Sequence, residues 1–177
     1  MTPADPALEW FRDVVEPTVA EFLATPGDKR RGCLAALAID AMVDHFYQAR
    51  PDIKDKFKKV QAFRRSIWDK DRKGPPGLGR NATVSLLHDV ANATKHVERF
   101  EPQPGKAGRM GYQDIHSSPL NTFGIARFGW PFSSEPEILV GENREWRLVE
   151  LIDCAMIFWR EKLDLPRSPT ATERQSS

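Results

Sequence analysis

The chain has 177 residues, 40% of them hydrophobic, and its 26 basic and 25 acidic side chains leave a net charge of +1. This length allows one buried core, and five tryptophans and ten phenylalanines are typical of a folded chain. The small net charge excludes a global attraction to nucleic acid or anionic membranes. No run approaches the roughly 18 apolar residues of a membrane span. Because the first residues also lack signal-peptide features, we expect a cytoplasmic protein with no membrane partner.

Two helices are predicted at the start of the chain. Residues 5–23 carry apolar side chains at helical spacing, and Pro17 lies inside this stretch, so we expect a kink or break near Glu16. A second helix spans about residues 29–49, with Asp28 as its N-cap.

The second helix has a broad apolar face, with Asp40 and Asp44 outside it. The face contains His45, and a lone histidine there is usually a core residue whose ring nitrogens are satisfied. The alternative is that His45 points across the bundle toward His88 or His96, where a metal could bind. The predicted face comprises Leu34, Leu37, Ala38, Ala41, Met42, His45 and Ala49.

A third, strongly basic helix is predicted over residues 52–73, with Asp52 as its N-cap. The stretch holds nine Lys or Arg and four Asp, a net charge of +5 (9 − 4). Such a surface suits a phosphate backbone, although a merely solvated positive face is the simpler interpretation. The cations are Lys54, Lys56, Lys58, Lys59, Arg64, Arg65, Lys70, Arg72 and Lys73. The apolar residues keep helical spacing and should face the core; they are Phe57, Val60, Phe63, Ile67 and Trp68.

The fourth helix, residues 84–98, has two unlike faces, and Asn81 or Thr83 is its expected N-cap. Its apolar face holds Leu86, Leu87, Val90, Ala91, Ala93 and Val97. The opposite face begins with Ser85, and its candidate site residues, here called the polar strip, are His88, Asp89, Asn92, Lys95 and His96. Histidine can act as a general acid or base, and a nearby lysine can stabilise developing negative charge. The strip is therefore either a polar site or a solvated helix face.

Other site signals are weak. The glycine-rich loop 74–79 lacks the ending of a phosphate-binding loop, so a plain connection is the simpler interpretation. The Glu-x-x-His pairs of di-iron bundles are absent, and we expect neither a metal nor another cofactor. Cys33 and Cys154 lie in apolar helical patterns, which favours buried free thiols in a reducing cytoplasm and leaves a disulfide open.

The C-terminal part of the chain has a different residue pattern from the helical part before it. Spaced aromatics and glycines over residues 123–132 lack a helical period, whereas residues 137–140 and 145–147 predict a β hairpin. A last helix spans about residues 148–163 and is ended by Pro166. Its predicted core face holds Leu148, Leu151, Ile152, Ala155, Met156 and Trp159. The predicted fold is a mainly α bundle of about five helices with a small antiparallel β hairpin inserted before the last helix. It forms a single domain over residues 5–165, followed by a disordered tail over residues 166–177.

The stretch Asp89-Val-Ala-Asn-Ala-Thr-Lys-His96 is similar to the fourth helix of a group of small bacterial and phage proteins. In those proteins a β hairpin and a last helix like Phe158-Trp159-Arg160 follow it. The layout also resembles the HEPN superfamily, helical bundles that include RNases and nucleotide-binding proteins. HEPN RNases carry an arginine, then about four to six residues, then a histidine, which would put the arginine at Asp89, Val90 or Ala91 if His96 is that histidine. If His96 is that histidine, this chain departs from the pattern, and Arg64 or Arg80 would have to substitute.

The resemblance and the polar strip together suggest an RNA- or nucleotide-phosphate-binding bundle, with metal-independent ribonuclease chemistry if it is an enzyme. The expected catalytic residues are His96, His88 and Lys95. The expected substrate-binding residues are Asn92, Asp89, Arg64, Arg65 and Arg80. The alternative is a non-enzymatic interaction module of a bacterial or phage complex, in which residues 123–132 contact a protein partner or a second copy of the chain.

Overall fold

The structure is a computed structural model that describes residues 5–67, 80–95, 112–119, 136–140 and 146–166. In chain order its elements are α1 (Pro6–Trp10), a π-helical turn (Phe11–Val15), α2 (Glu16–Leu23), α3 (Lys29–Ala49), α4 (Pro51–Lys56), α5 (Val60–Ile67), α6 (Arg80–Lys95), a 3-10 turn (Tyr112–Asp114), β1 (Ile115–Pro119), β2 (Pro136–Val140), β3 (Trp146–Arg147) and α7 (Leu148–Lys162). The predicted mainly α fold with a small antiparallel sheet before the last helix is confirmed. None of the described helices is long and apolar enough to cross a membrane.

The kink or break expected near Glu16 takes the form of a π-helical turn, and the chain stays helical from α1 through α2. The N–H of Glu16 bonds to the carbonyl of Phe11, five residues back. Pro17 has no N–H to offer the preceding turn, and its ring would crowd the carbonyl four residues earlier. A wider turn ahead of the proline accommodates that ring without ending the helix.

Helix α3 is the centre of the bundle and contacts α1, α2, α5, α6 and α7. Its predicted bounds and cap are confirmed, since the Asp28 carboxylate accepts a hydrogen bond from the N–H of Arg31 at 3.1 Å. Near its start, Gly32 allows close packing: a Cβ atom there would lie 2.7 Å from the Leu148 side chain and 3.1 Å from the ring of Phe22.

The predicted core face of α3 is wrong in its orientation. Leu34 is 41% exposed, and Leu37, Ala41, His45 and Ala49 are only half-buried. Asp40, expected outside the core, is 6% exposed. Because neighbouring helices cover most sides of α3, no single stripe describes its buried residues. They are Gly32, Cys33, Ala35, Ala36, Ala38, Ile39, Asp40, Met42, Val43, Phe46 and Tyr47.

The prediction of a single third helix over residues 52–73 is also wrong, because α4 and α5 are separate helices. The N-cap of α4 is Arg50 rather than Asp52, with Pro51 in the first turn. After α4 the backbone becomes extended at Phe57, whose carbonyl accepts a 2.7 Å hydrogen bond from the hydroxyl of Tyr47. A side chain of α3 thus binds the chain where the predicted helix would have continued.

The apolar stripe of α5 faces the core as predicted. Phe63 and Ile67 are buried, and Phe57 and Val60 are half-buried against the same core. The aromatic rings therefore pack inside the bundle and are not available as a platform for stacking bases. Trp68 and the cations that follow it lie outside the described residues.

Helix α6 begins at Arg80, so Asn81 and Thr83 lie within the helix and neither is its N-cap. Thr83 is fully buried. The apolar face is confirmed as far as it is described, since Leu87, Val90, Ala91 and Ala93 are all buried. Leu86 is half-buried, and Val97 lies outside the described residues.

The sheet contains the predicted hairpin and one strand that was not predicted. In the hairpin β2 pairs antiparallel with β3, placing Leu139 opposite Arg147 and Val140 opposite Trp146. The additional strand, β1, pairs antiparallel with β2, with Ile115 opposite Val140. The turn 141–145 and the aromatic segment 123–132 lie outside the described residues.

Helix α7 carries most of its predicted face into the core. The buried residues are Leu148, Leu151, Ile152, Ala155, Phe158 and Trp159, whereas Met156 is half-buried. The helix ends before Pro166, because Asp164 adopts the left-handed conformation at φ 53°. The N–H of Leu165 then bonds to the carbonyl of Arg160 at 2.9 Å, which closes the last turn.

Both cysteines are free thiols, as expected. Cys33 is buried in α3 and Cys154 is half-buried in α7. The disulfide that the sequence left open is not formed.

Candidate functional site

A buried carboxylate on α3 brings together polar side chains from α3, α5 and α6. We call this set the Asp40 cluster; its members are Asp40, Asp44, Arg64, His88, Asn92 and Lys95. Three members, His88, Asn92 and Lys95, belong to the predicted polar strip, and Arg64 belongs to the predicted basic helix. The strip is therefore not simply a solvated helix face, because its inner edge packs against α3.

Asp40 is the common acceptor of the cluster. Its Oδ1 atom lies 2.8 Å from Nδ1 of His88 and also accepts a hydrogen bond from Nη1 of Arg64. The second guanidinium nitrogen, Nη2, binds Asp44 at 3.0 Å, so Arg64 bridges two carboxylates one helical turn apart on α3. Nζ of Lys95 lies 3.9 Å from the other oxygen of Asp40.

The hydrogen bonds assign the tautomer of His88. A carboxylate can only accept, so Nδ1 carries the hydrogen and donates it to Asp40. Nε2 then presents a lone pair, which accepts a hydrogen bond from the side-chain amide of Asn92 at 2.9 Å. Nη1 of Arg64 lies 3.1 Å from Nδ1, but both atoms are donors. Their closeness follows from their shared acceptor, Asp40, rather than from a bond between them.

The charge of Asp40 survives burial because of its partners. Burial alone would raise the pKa of Asp40, but the hydrogen bond from His88 and the charge and hydrogen bond of Arg64 outweigh it, and the pKa of Asp40 is held below its ordinary value. The side chains of Asp40 and Arg64 are 6% and 11% exposed, whereas Asp44 and Lys95 are 53% and 52% exposed. The cluster thus has a dry centre and a solvent-exposed rim.

Helix geometry explains which strip residues reach α3. His88, Asn92 and Lys95 follow one another at spacings of four and three residues, so they lie on one side of α6. The apolar face of α6 packs against α3 and α7. The inner edge of the polar strip lies beside this packed face. His88 and Lys95 thereby approach the carboxylate of Asp40 on α3.

The remaining predicted site residues are placed differently. Asp89 is half-buried, and Arg65 is exposed although its neighbour Arg64 turns inward. Arg80 is the first residue of α6, and nothing of its side chain is described. His96, the first expected catalytic residue, lies outside the described residues.

His45 packs against α1. Its ring stacks on Trp10 with centroids 4.2 Å apart and an angle of 11° between the planes, and it is half-buried. This placement corresponds to the expected packing role rather than to a ring directed at His88. Within the described part of the chain, no group of three or more His, Cys, Asp or Glu side chains could hold a metal ion.

Sequence reasoning missed Asp40 and Asp44 as site residues. A signal for Asp40 was present, since it interrupts the otherwise apolar run Ala-Ala-Leu-Ala-Ile-Asp-Ala-Met-Val of residues 35–43. A carboxylate flanked by apolar residues on every side of a helix requires a buried cation or hydrogen-bond donor. No comparable signal identified Arg64 among the neighbouring cations.

A groove of about 440 Å³ begins at the exposed rim of the cluster. It runs between α1–α2 on one side and α3 on the other, and Lys95 closes it at the cluster end. Its lining includes Asp40 and Asp44 together with the side chains of Trp10, Leu34 and Leu37. The cluster is therefore accessible from solvent along a partly apolar channel.

Comparison of the chain with protein-family models, curated proteins and solved structures gives no match. The function is accordingly inferred from the geometry of the Asp40 cluster and its surroundings.

We expect Asp40→Ala to lower the free energy of unfolding by about 2–4 kcal/mol, because Arg64 and His88 lose their shared buried acceptor. Chemical denaturation monitored by far-UV circular dichroism measures the change. Asp44→Ala is the matched control: it removes a carboxylate from the same guanidinium at the exposed rim, and its cost should stay under about 1 kcal/mol. Equal costs for the two variants would contradict the assignment of Asp40 as the dry centre of the cluster.

The depressed pKa of Asp40 also predicts a pH dependence. A carboxylate whose folded pKa lies below its unfolded value stabilises the protein above the unfolded value and loses this contribution as the pH falls through the folded one. The wild type should therefore be more stable than Asp40→Asn at neutral pH, and the difference should shrink below about pH 4. Urea denaturation of both proteins at several pH values measures it; a difference that stays constant from neutral to acid pH would contradict the prediction.

Proposed function

We propose that the protein is a cytoplasmic RNA- or nucleotide-phosphate-binding domain of HEPN-like layout, in which the Asp40 cluster receives a phosphate. The observation that carries the proposal is the meeting of Arg64 and His88, whose Nη1 and Nδ1 atoms lie 3.1 Å apart although the residues come from different helices. The HEPN resemblance calls for an arginine beside a histidine, and Arg64 is one of the two substitutes that the sequence offered. The histidine beside it is His88, whereas the sequence matched His96 to the HEPN histidine, so the proposal assigns that role to His88. The free thiols suit a reducing cytoplasm, and the resemblance to small bacterial and phage proteins is in keeping with the layout.

The cluster has the parts that phosphate chemistry needs. The half-exposed ammonium of Lys95 can approach an anionic oxygen, and the amide of Asn92 can orient a substrate by a hydrogen bond. Asp40 holds His88 so that the lone pair of Nε2 points away from the dry centre. A histidine base oriented by a carboxylate is the arrangement that activates hydroxyl nucleophiles in many unrelated enzymes.

This arrangement supports a metal-independent ribonuclease step. A ribose 2′-hydroxyl that displaces the Asn92 amide can give its proton to Nε2 of His88 while its oxygen attacks the adjacent phosphorus. The bond from phosphorus to the 5′-oxygen then breaks, leaving a cyclic phosphate, and a proton donor returns a proton to the leaving oxygen. Lys95 stabilises the negative charge on the phosphoryl oxygens during the step. The proton donor expected from the sequence is His96.

Exposed cations next to the cluster supply a path for the backbone. On α4, α5 and the connection between them, Lys56, Lys58, Lys59 and Arg65 are all exposed. Helix α5 also carries Arg64 into the Asp40 cluster. An RNA strand bound along these cations would therefore pass close to the cluster. The carboxylates Asp40 and Asp44 offset the charge of Arg64, which leaves the exposed cations to provide the attraction.

The binding prediction concerns these exposed cations. We expect Lys58→Ala/Lys59→Ala to weaken binding of a short fluorescent single-stranded RNA and to reduce the slope of log affinity against log salt by about 1.4, since each lost phosphate contact on a single strand removes about 0.7. Fluorescence anisotropy between about 50 and 200 mM salt measures the slope. Arg30→Ala removes an exposed cation near the start of α3 and should leave the slope unchanged. If the wild type does not bind RNA even at low salt, the proposed function is wrong.

The catalytic prediction concerns His88. If the protein cleaves RNA, His88→Gln should reduce the cleavage rate by about 100-fold or more, because it removes the base while retaining a polar side chain. Gel analysis of labelled RNA with excess EDTA measures the rate, and EDTA should not affect the wild type. Asp44→Asn should retain most of the activity. Unchanged cleavage by a folded His88→Gln protein would exclude His88 as the base, and RNA binding without any cleavage would reduce the proposal to a binding role.

A further inference from the structure

The groove beside the Asp40 cluster has two walls of different origin. Trp10, Val14 and Thr18 on α1, the π-helical turn and α2 form one wall, which ends at Glu21. The other wall is α3, from Leu34 through Leu37, Ala38 and Ala41 to Asp44. These eleven residues of α3 extend about 15 Å at the usual helical rise, which is the length of almost three helical turns.

The floor and walls are apolar in their middle part. Leu34 is one of only two large hydrophobic residues that are exposed among those the structure describes. Trp10 is half-buried, and its indole N–H is already used in a 3.2 Å hydrogen bond to the carbonyl of Ala38. The hydroxyl of Thr18 donates to the carbonyl of Val14 at 2.6 Å. The polar hydrogens of this wall are therefore satisfied internally, and the groove offers mainly apolar surface to a ligand.

The charge along the groove is uneven. At the cluster end, the carboxylates of Asp40 and Asp44 are balanced by the cations of Arg64 and Lys95. At the other end Glu21 is exposed and makes no ion pair within the described part of the chain. The nearby guanidinium of Arg31 binds the backbone carbonyl of Glu21 at 3.3 Å rather than its carboxylate. The groove thus combines an apolar middle with one carboxylate that has no ion-pair partner among the described residues, a pattern complementary to an apolar ligand that carries a positive charge at one end.

We infer that this groove binds a short amphipathic helix of a partner protein, with apolar side chains at positions i, i+4 and i+7 and a lysine or arginine about one turn beyond, paired with Glu21. The length of the α3 wall matches two to three turns of such a helix, and docking an apolar helix face into an apolar groove is a common mode of peptide recognition. The volume of about 440 Å³ lies within the usual range of ligand sites. The inference does not depend on the proposed RNA-directed function.

The test uses the whole protein and two synthetic helical peptides. Both carry leucines at i, i+4 and i+7; one has lysine beyond the last leucine and the other has glutamate at that position. Isothermal titration calorimetry should show tighter binding of the lysine peptide, by about three- to fivefold, as an exposed ion pair provides. Glu21→Lys should reverse this preference, and Leu34→Asp should weaken both peptides about tenfold or more. Ala20→Asp is the matched control, because Ala20 is exposed on α2 and does not line the groove.

Each other outcome overturns the inference. If neither peptide binds at millimolar concentration, or if Glu21→Lys leaves the preference unchanged, the groove does not recognise a basic amphipathic helix. If Leu34→Asp instead converts a wild-type dimer into a monomer in sedimentation velocity, a second copy of the chain occupies the groove. If adenosine or guanosine monophosphate displaces the bound peptide, the groove belongs to a nucleotide site. Loss of RNA binding in Lys58→Ala/Lys59→Ala has no bearing on these outcomes, so the two proposals fail separately.

Discussion

The carboxylate of Asp40 is the constraint on which the arrangement of this bundle depends. It lies in the middle of the central helix, where the surrounding residues are apolar and nearly dry. An ionised carboxylate in such a place is strongly destabilising unless donors surround it, and here Arg64 and His88 both donate to it. Helices α5 and α6, which carry Arg64 and His88, must therefore pack against α3 at a defined position along its axis and with a defined side facing it.

That requirement bears on specificity more than on stability. A buried ion pair offsets its own desolvation cost only in part, and a well-packed apolar set of similar volume is often equally stable. The apolar contacts of the bundle, such as Leu148 and Phe22 against Gly32, supply the bulk of the attraction between helices. These apolar contacts tolerate small shifts of one helix along another. The guanidinium of Arg64 is less tolerant, because its two nitrogens must reach Asp40 and Asp44 at the same time. We therefore expect the polar cluster to favour one of the packings that the apolar core alone would allow.

The elements that the sequence predicted are those determined by local signals. Helix α3 begins at the Asp28 cap and ends before Pro51, and the apolar spacing of α7 gives its core face; each signal lies within a few residues of the structure it determines. The features that were missed depend on distant partners. The break between α4 and α5 involves a hydrogen bond from Tyr47, and strand β1 is defined by its pairing with β2 rather than by an alternating pattern of its own.

The same distinction between local signals and distant partners applies to the residues of the candidate site. Residues of one helix, His88, Asn92 and Lys95, were predicted together because their spacing alone places them on one side. Asp40 was placed outside the core because a two-sided amphipathic pattern was assumed for α3, and this assumption fails for a helix with neighbours on most sides. Arg64 could not be separated from the adjacent cations, since what distinguishes it is a pair of carboxylates 20 and 24 residues earlier in the chain.

The cluster has features that a purely structural ion pair would not need. The guanidinium of Arg64 alone offsets the charge of Asp40, yet the structure also holds His88 in a single tautomer, with the lone pair of Nε2 occupied by a side-chain amide. An amide is a replaceable partner, because a hydroxyl can donate to the same lone pair with similar geometry. Lys95, which is half-exposed, follows Asn92 on the same side of α6, and it also lines the open groove together with Asp40 and Asp44. A buried anion that orients a histidine, next to an exposed rim, is the combination on which the proposal of a site for chemistry or recognition rests; a purely structural contact between helices would need only the ion pair.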